Sequence, residues 1–212
     1  MQLYGYWRSS AAYRVRIALN LKGVPYEHLP VHLVKDGGQQ HAPEYVRLNP
    51  AHLVPSLVLE DGTVLTQSLA IIDYLDRTYP DPALLPADPV GRAHAMAVAH
   101  AVAMDIHPVN NLRVLERLSS QFGADGKAKR DWMVHWMTVG FAGIEPLLAA
   151  DTAFAFGDTP GLADICITSQ LYNARRWEVD LRPFPRLTQI EQTCLKLPAV
   201  AAATPDQQPD AA

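Results

Sequence analysis

Arg8, Ser9 and Ser10 lie where a short strand gives way to a helix. Residues 1–6 alternate bulky side chains as a strand does, and apolar side chains then recur at helical spacing in residues 15–19. A helix N-terminus offers free N–H groups and partial positive charge, which favour an anion. A hydroxyl group there can also donate to a thiolate and lower the pKa of the thiol. Two interpretations stay open: an anion or thiolate site, or a plain N-cap made by one of the serines.

Gln67 and Ser68 form a second polar pair at a helix start. Ile71, Ile72 and Leu75 follow at the spacing of an apolar helix face. Ser68 is expected to be the N-cap of this helix, and the free N–H groups beside it suit a carboxylate. Capping explains Ser68 but leaves Gln67 unexplained, so the pair together favours a binding role.

The segment between these pairs predicts strands and one polar loop. Residues 26–31 read as a second strand, which completes a β-α-β unit. Residues 55–59 are an apolar strand that begins at a proline, and residues 64–66 return as the second arm of a hairpin. The glycine-rich loop at residues 35–40 lacks the lysine–serine ending of a phosphate-binding loop, so a plain surface loop is one interpretation.

The second half of the chain is predicted to be helical. Four prolines within residues 79–89 exclude a helix or a central strand there and mark a domain boundary. The pattern then predicts a long helix over residues 90–120 that is kinked at Pro108, a second over residues 127–150, and a third that starts at residue 161. The core positions expected in the second helix are Trp132, Trp136, Val139 and Ile144.

Asp164 is expected to have a structural role at the start of the third helix, because a carboxylate is favourable near the positive helix end. Gly161 stands three residues earlier, where it can serve as an N-cap without a side-chain hydrogen bond. The last segment, residues 204–212, is rich in proline, alanine and glutamine and is expected to be disordered.

Composition narrows the class of protein. A chain of 212 residues with nearly half of them hydrophobic can bury one or two cores, and a net charge of −4 argues against nucleic acid or an acidic membrane as a partner. Cys166 and Cys194 belong to no metal or redox motif, no signal peptide is evident, and the histidines lack partners at ligand spacing. A cytoplasmic protein without a metal or a membrane span is therefore expected.

The run from Ser9 to Leu19 resembles a motif of the zeta class of the glutathione transferase family. That class carries Ser-Ser-Cys, then an aromatic residue and Arg-Val-Arg-Ile-Ala-Leu. Here the run is Ser9-Ser10-Ala11-Ala12-Tyr13-Arg14-Val15-Arg16-Ile17-Ala18-Leu19, so Ala11 stands in place of the cysteine. The resemblance continues to about Lys196.

The resemblance implies an α/β plus all-α fold. Residues 1–80 would form a thioredoxin-like domain that binds glutathione, residues 81–89 a linker, and residues 90–203 an all-helical substrate domain. It also implies a homodimer. The activity would be the glutathione-dependent cis–trans isomerisation of maleylpyruvate or maleylacetoacetate, a step in aromatic catabolism such as the gentisate pathway.

The resemblance also assigns ligand and catalytic residues. The cofactor ligands that it implies are Ser9, Gln39, Gln40, His52, Val54, Pro55, Gln67, Ser68 and His107. The catalytic groups are Ser9, Ser10, Arg8 and Arg176, and Arg8 and Arg176 are also the first substrate ligands. Arg113 and Asn111 are added as substrate-ligand candidates because, by family analogy, the helix at Arg113 lines the same cleft. In this family the Val54–Pro55 bond would be cis, and the backbone of Val54 would bind the cysteinyl unit of glutathione as an added strand does.

Isomerisation of a maleyl keto acid places two demands on a protein. A nucleophile must add reversibly to the double bond so that rotation can occur, and glutathione thiolate can do this if Ser9 or Ser10 stabilises it. The dicarboxylate and its developing charge call for arginines, whose planar fork pairs with a carboxylate through two hydrogen bonds. Arg8 and Arg176 are the first candidates. Arg113 has no general counterpart in the family, and a solvated surface charge is the alternative for each arginine.

Two other functions stay open from the sequence. One is a general glutathione transferase or haloacid dehalogenase, whose typical electrophiles are apolar and need no arginines. The other is a non-enzymatic binding module on the same fold, which would need no glutathione ligands. Maleylpyruvate is weakly favoured over maleylacetoacetate, because cationic residues at positions 113 and 176 suit a keto-carboxylate end.

Overall fold

The computed structural model describes residues 1–211, which divide into two compact units. The first unit holds residues 1–83 together with residues 195–211, and the second holds Leu84–Cys194. The division after residue 83 falls inside the segment predicted as a linker. Within the described chain, no helix combines the length and the apolar character that crossing a membrane requires.

The first unit is built on a mixed four-stranded sheet. Its strands are β1 (Gln2–Gly5), β2 (Glu27–Pro30), β3 (Ser56–Val58) and β4 (Val64–Thr66), and they lie in the order β2-β1-β3-β4. β1 and β2 are parallel, whereas β3 is antiparallel to both of its neighbours. This is the β-α-β unit followed by a hairpin that the sequence predicts.

The helices follow the pattern of apolar residues in most of the chain. In chain order they are α1 (Ser10–Leu21), α2 (Pro43–Val46), α3 (Ser68–Thr78), α4 (Pro89–His100), α5 (His107–Val109), α6 (Leu112–Phe122), α7 (Gly126–Ile144), α8 (Leu162–Arg176), α9 (Pro185–Leu195) and α10 (Pro198–Ala203). A π-helical segment, Ala101–Ile106, joins α4 to α5. The chain leaves the helical path just after Pro108, at residues 110 and 111, which confirms the predicted interruption.

The core of the first unit lies between the sheet and α1. The side chains of Val15, Ala18 and Leu19 are fully buried, and α1 packs against α3 and α10. Burial of each large aliphatic side chain contributes about 1.5–3 kcal/mol, so this helix is fixed firmly against the sheet. The helix ends where Gly23 adopts a φ of +64°, a conformation that glycine takes without strain.

The core stripe of α7 differs from the prediction in register. The buried side chains are those of Met133, Met137, Phe141 and Ile144, of which the sequence analysis named only Ile144. Val139 is 51% exposed, which contradicts its assignment to the core. Trp132 and Trp136 are half-buried and lie beside the stripe. The ring of Trp132 is held there because its indole N–H donates to the carbonyl of Val109 at 2.8 Å.

The C-terminal segment is folded, which contradicts the expected disorder of residues 204–211. Residues 205–207 form a 3₁₀ turn, and Gln208 is buried with its amide donating to the carbonyls of Ala202 and Thr204. Asp210 reaches back to the first strands, as described below. The segment belongs to the first unit and not to the helical one. Residue 212 lies outside the described part of the chain.

Candidate active site

The sheet topology brings the predicted glutathione ligands of the first unit to one end. Ser56 pairs with both Tyr4 and Thr66, so the segments that follow β1, precede β3 and follow β4 meet at that end. These segments carry Ser9, the Val54–Pro55 bond and Gln67. Because β2 is parallel to β1, the loop that follows β2 also starts there. Residues that are far apart in the sequence therefore share one edge.

Ser9 is the N-cap of α1, and Ser10 is the first residue of the helix. The Ser9 hydroxyl accepts the Ala12 N–H at 3.2 Å, while the Tyr6 carbonyl accepts the Ser9 N–H at 2.9 Å. A hydroxyl that accepts one hydrogen bond still has its own proton to donate. Ser10 is only 5% exposed. Of the two serines, Ser9 therefore offers the accessible donor beside the free N–H groups of the helix start.

The loop before β3 presents unpaired backbone groups. The bond between Val54 and Pro55 is cis, and the carbonyl of Leu53 accepts from the hydroxyl of Tyr45 at 2.6 Å and from the amide of Asn49 at 2.7 Å. Among the described residues, none donates to or accepts from the backbone of Val54. The Leu53 carbonyl is thus held by two side chains, whereas the backbone of Val54, which is 9% exposed, forms no hydrogen bond within the described residues.

Gln67 has an unusual backbone conformation at the start of α3. Its φ is +67°, which a residue other than glycine rarely adopts and which often marks a functional site. Its side chain is exposed, and its amide has no hydrogen-bond partner within residues 1–211. This arrangement leaves the amide beside the free N–H groups of α3, where a carboxylate would be bound.

The assignment of Ser68 as an N-cap is wrong. Gln67 occupies the cap position, and α3 begins at Ser68. The Ser68 side chain is 5% exposed, and its hydroxyl accepts the Nε–H of Arg14 at 3.0 Å. Local sequence does not indicate this contact, because Arg14 and Ser68 are 54 positions apart.

In the loop after β2, the side chains of both glutamines form hydrogen bonds with the backbone. Gln39 accepts the His32 N–H through its side-chain oxygen at 2.8 Å, and its NH₂ group has no partner in the described chain. Gln40 is buried, and its NH₂ group donates to the carbonyl of Leu33 at 3.3 Å. Of the two, Gln39 is placed better to meet a ligand. His52, with a φ of +56°, lies with its Nδ1 atom 3.2 Å from Nδ1 of His41.

Arg8 is stacked on aromatic rings. Its guanidinium carbon lies 5.0 Å from the centre of the Trp7 ring and 5.6 Å from that of Tyr6. Stacking of this kind leaves the N–H groups at the edge of the guanidinium plane free to bind a planar anion. The arrangement suits the predicted role of Arg8 as a carboxylate ligand.

The other predicted ligands belong to the second unit. His107 begins α5, and Asn111 caps α6 by accepting the Arg113 N–H at 3.2 Å. Arg113 is exposed, and no carboxylate within the described residues pairs with it. Arg176 ends α8, is exposed, and donates to the side-chain oxygen of Asn173 at 3.3 Å.

One cavity of the helical unit is lined by sequence neighbours of the two arginines, but by neither arginine itself. Leu112, which precedes Arg113, and Trp177, which follows Arg176, both line it.

The cysteines of the chain are unsuited to nucleophilic chemistry. Cys166 and Cys194 are both buried, and burial raises the pKa of the Cys194 thiol to about 12. Ala11 takes the position of the family cysteine and is itself buried. Within residues 1–211, no group of three or more His, Cys, Asp or Glu side chains is arranged to hold a metal ion. A thiol nucleophile for this site would have to come from a bound molecule.

The sequence analysis did not identify which residues bind the backbone of the site loops and support them. Arg16, Tyr45 and Asn49 bind carbonyls of the site loops, and Asp210 binds the N–H of Trp7. Tyr45 is four residues from Asn49, which local inspection could have noted. Asp210 is 203 residues from its partner, so no local pattern could have revealed it.

Comparison with known proteins agrees with this geometry. Residues 3–83 match the family model for the glutathione S-transferase N-terminal domain. A probable maleylacetoacetate isomerase of Vibrio cholerae is 48% identical over 211 residues, which are 99% of this chain and 97% of the relative.

Two solved structures are also close. A holo structure of maleylpyruvate isomerase, described as a bacterial glutathione S-transferase of the zeta class, is 48% identical with a TM-score of 0.96 and full coverage of both chains. A maleylacetoacetate isomerase of Methylobacterium extorquens AM1 with bound malonate and glutathione is 39% identical, with a TM-score of 0.95 and full coverage of both chains.

A thioredoxin-like sheet followed by a helical unit, with two helix N-termini at one sheet edge, defines a protein of the glutathione transferase fold. The chain belongs to the glutathione transferase family. The full-length relatives reported above bear the names of isomerases, and one of them is described as a zeta-class protein.

Proposed function

We propose that the protein is a glutathione-dependent cis–trans isomerase of a maleyl keto acid. The observation that carries the proposal is the meeting of Ser9, Val54 and Gln67 at one sheet edge, in a chain that matches isomerases over its whole length. A general transferase is disfavoured because Arg8, Arg113 and Arg176 are exposed or stacked cations, and an apolar electrophile gives them nothing to bind.

The residues of the first unit fit the shape of glutathione. The unpaired backbone of Val54 suits the cysteinyl unit, and the free amide of Gln67 suits the γ-glutamyl end with its carboxylate. Gln39 and His52 stand on the adjoining loops, where the glycyl end would lie. The same edge thus offers contacts for a whole tripeptide.

The chemistry that glutathione supplies is a thiolate that adds reversibly to the double bond and so permits rotation. Ser9 lowers the pKa of this thiol by donating its hydroxyl proton to the sulfur, helped by the positive end of α1. Arg8 binds one carboxylate of the substrate and the negative charge that develops beside it. Arg176 binds the second carboxylate, and Arg113 with Asn111 favours a substrate with a keto acid at that end.

The preferred substrate is maleylpyruvate. It differs from maleylacetoacetate by one methylene, which a pocket discriminates by about 1–3 kcal/mol. The cations at Arg113 and Arg176 favour the shorter compound, whose keto group adjoins its carboxylate. The structure of the Methylobacterium extorquens relative contains bound malonate, so a protein of the same family binds a dicarboxylate.

Initial rates on both substrates, with and without glutathione, test the proposal. We expect isomerisation of both acids with glutathione, a higher kcat/KM for maleylpyruvate, and little conjugation of a neutral aryl halide. Fast conjugation with no isomerisation would favour the general transferase. Retention on a glutathione matrix with neither activity would favour a binding module.

A further inference from the structure

The C-terminal segment grips the loop that carries Arg8 and Ser9. One carboxylate oxygen of Asp210 accepts the backbone N–H of Trp7 at 3.0 Å, and the other lies 3.0 Å from Nε2 of His28. Both side chains of the Asp210–His28 pair are nearly buried, with 11% and 8% of their surface exposed. A buried carboxylate that accepts two hydrogen bonds holds its partners in a fixed geometry.

His28 acts in this contact as a neutral donor. Burial lowers the pKa of His28, although the Asp210 carboxylate works in the opposite direction and Arg16 adds to the lowering. The lowered pKa favours the uncharged ring, and because a carboxylate can only accept, Nε2 is assigned as the donor of this contact. The charge of the carboxylate remains, which strengthens its bond to the Trp7 N–H.

The carbonyl of the same residue, which belongs to the next peptide group, is held by Arg16. This arginine is fully buried, and its guanidinium donates both to the Trp7 carbonyl and to the Ala203 carbonyl, each at 3.0 Å. Ala203 ends α10, which is followed directly by the segment that bears Asp210. The N–H of Trp7 is thus bound by Asp210 of the C-terminal segment, and its carbonyl is bound by Arg16, which also binds the end of α10.

We propose that Asp210 is a positioning residue for the reaction: it fixes the Trp7 peptide and thereby the placement of Arg8 and the Ser9 hydroxyl. The proposal rests on the proposed function, because Arg8 and Ser9 are the groups that it positions. The turn from Tyr6 to Ser9 is closed by one backbone hydrogen bond, so a rotation of the Trp7 peptide moves both side chains. Displacement of a catalytic group by about 1 Å can cost a factor of about a hundred in rate.

The variants separate position from charge. Asp210→Ala removes both hydrogen bonds, whereas Asp210→Asn removes the charge but keeps an oxygen for the Trp7 N–H. Asp206→Ala is the matched control, since Asp206 is an exposed carboxylate in the same segment with no partner in the described chain. Loss of a nearby negative charge would by itself lower the pKa of a bound thiol. Loss of Ser9 placement raises that pKa, so the two causes have opposite signs.

We expect Asp210→Ala to raise the pKa of the glutathione thiol, followed by thiolate absorbance, and to lower kcat for isomerisation between about tenfold and a hundredfold. The dissociation constant of glutathione should change by less than about threefold, because Val54 and Gln67 hold the peptide. Asp210→Asn should keep a kcat close to that of the wild type and should lower the thiol pKa slightly or leave it unchanged, because it keeps the Trp7 contact and loses only the charge. Asp206→Ala should be indistinguishable from the wild type.

A lowered or unchanged thiol pKa in Asp210→Ala would overturn the proposal, as would equal losses in Asp210→Ala and Asp206→Ala. Amide hydrogen exchange at Trp7 gives a readout that needs no substrate or glutathione. Exchange should be faster in Asp210→Ala than in the wild type, and an unchanged rate would also overturn the proposal. If the wild-type enzyme lacks isomerase activity but Trp7 exchange responds to Asp210→Ala, the proposed function fails and the positioning contact stands.

Discussion

Each functional residue owes its chemistry to the groups that surround it. Ser9 is half-buried at a helix start with its proton free, whereas Ser10, one residue on, is buried. The sequence alone left the two serines equivalent. The difference arises from the turn between Tyr6 and Ser9, which makes Ser9 the N-cap and turns Ser10 into the first turn of α1.

Replacement of Ser9 by alanine should impair the thiolate more than the binding of glutathione. We expect Ser9→Ala to raise the pKa of bound glutathione by about one unit, since one hydrogen bond to the charged form is lost. The kcat should fall by about tenfold or more, and loss of the cap should cost about 1 kcal/mol of stability.

Ser9→Thr is the control for this change, because it keeps a hydroxyl and a capping oxygen, and it should restore most of the activity. Ser10→Ala should have little effect on the thiol. If thiolate absorbance titrates identically in Ser9→Ala, Ser10→Ala and the wild type, the serines have no part in activating glutathione.

Arg176 should act on the dicarboxylate and not on glutathione. We expect Arg176→Ala to lower kcat for isomerisation by about a hundredfold, because a positioned charged donor to the transition state is lost. Arg176→Lys should rescue poorly, since it keeps the charge without the planar fork. Any conjugation of a neutral aryl halide should persist in Arg176→Ala. Equal loss of both activities would mean that Arg176 supports the fold or the binding of glutathione.

At the scale of elements, regular patterns were predictable and long-range contacts were not. The β-α-β unit, the hairpin and the interruption near Pro108 follow from local sequence, because alternation, turns and prolines act over a few residues. The register of α7 was misjudged because two tryptophans were assigned to the core, although their rings lie beside it. Residues 204–211 read as disordered by composition, yet Gln208 and Asp210 are held by partners that composition does not reveal.

The start of α8 shows how one element compensates for a missing cap. Gly161 has no capping side chain, and a Cβ atom there would come within 2.8 Å of the Leu84 carbonyl oxygen. Asp164 substitutes for the cap: its carboxylate accepts the N–H groups of Ala155 at 2.7 Å and Gly161 at 2.9 Å. This contact supports the structural role expected of Asp164.

Asp164 should make stability depend on pH in a defined direction. Burial raises the pKa of Asp164 from 3.8 to about 6, although the backbone donors oppose this. The folded state then binds the Asp164 proton more tightly than the unfolded state does. The stabilisation that this binding gives is complete below about pH 4 and is lost as the pH rises through about 6. The difference between the two pKa values corresponds to roughly 3 kcal/mol of folding free energy.

Chemical unfolding of the wild type and Asp164→Asn between pH 4 and 7.5 measures this contribution. The substitution should destabilise the protein at every pH, since one N–H donor faces an amide nitrogen, but by a smaller margin at pH 7.5 than at pH 4. A margin that is constant or grows with pH would contradict the assignment.

At the scale of the whole molecule, we expect a homodimer. Closed two-fold dimers are the commonest soluble oligomers, and large apolar side chains such as Val90, Phe122 and Val139 are more than half exposed on the helical unit. Sedimentation equilibrium at micromolar concentration should give about twice the 23.4 kDa of one chain. A mass of one chain across a dilution series from this concentration would refute the expectation.

We infer that the reaction depends on a thiol which the bound tripeptide supplies, since both cysteines of the chain are buried and the family cysteine is replaced by Ala11. The most direct test compares maleylpyruvate isomerisation with glutathione and with S-methylglutathione, which keeps the peptide contacts but cannot form a thiolate. We expect rapid formation of the trans isomer with glutathione, none above background with S-methylglutathione, and competitive inhibition when the two are mixed. Isomerisation at an equal rate with S-methylglutathione, or without any tripeptide, would contradict it.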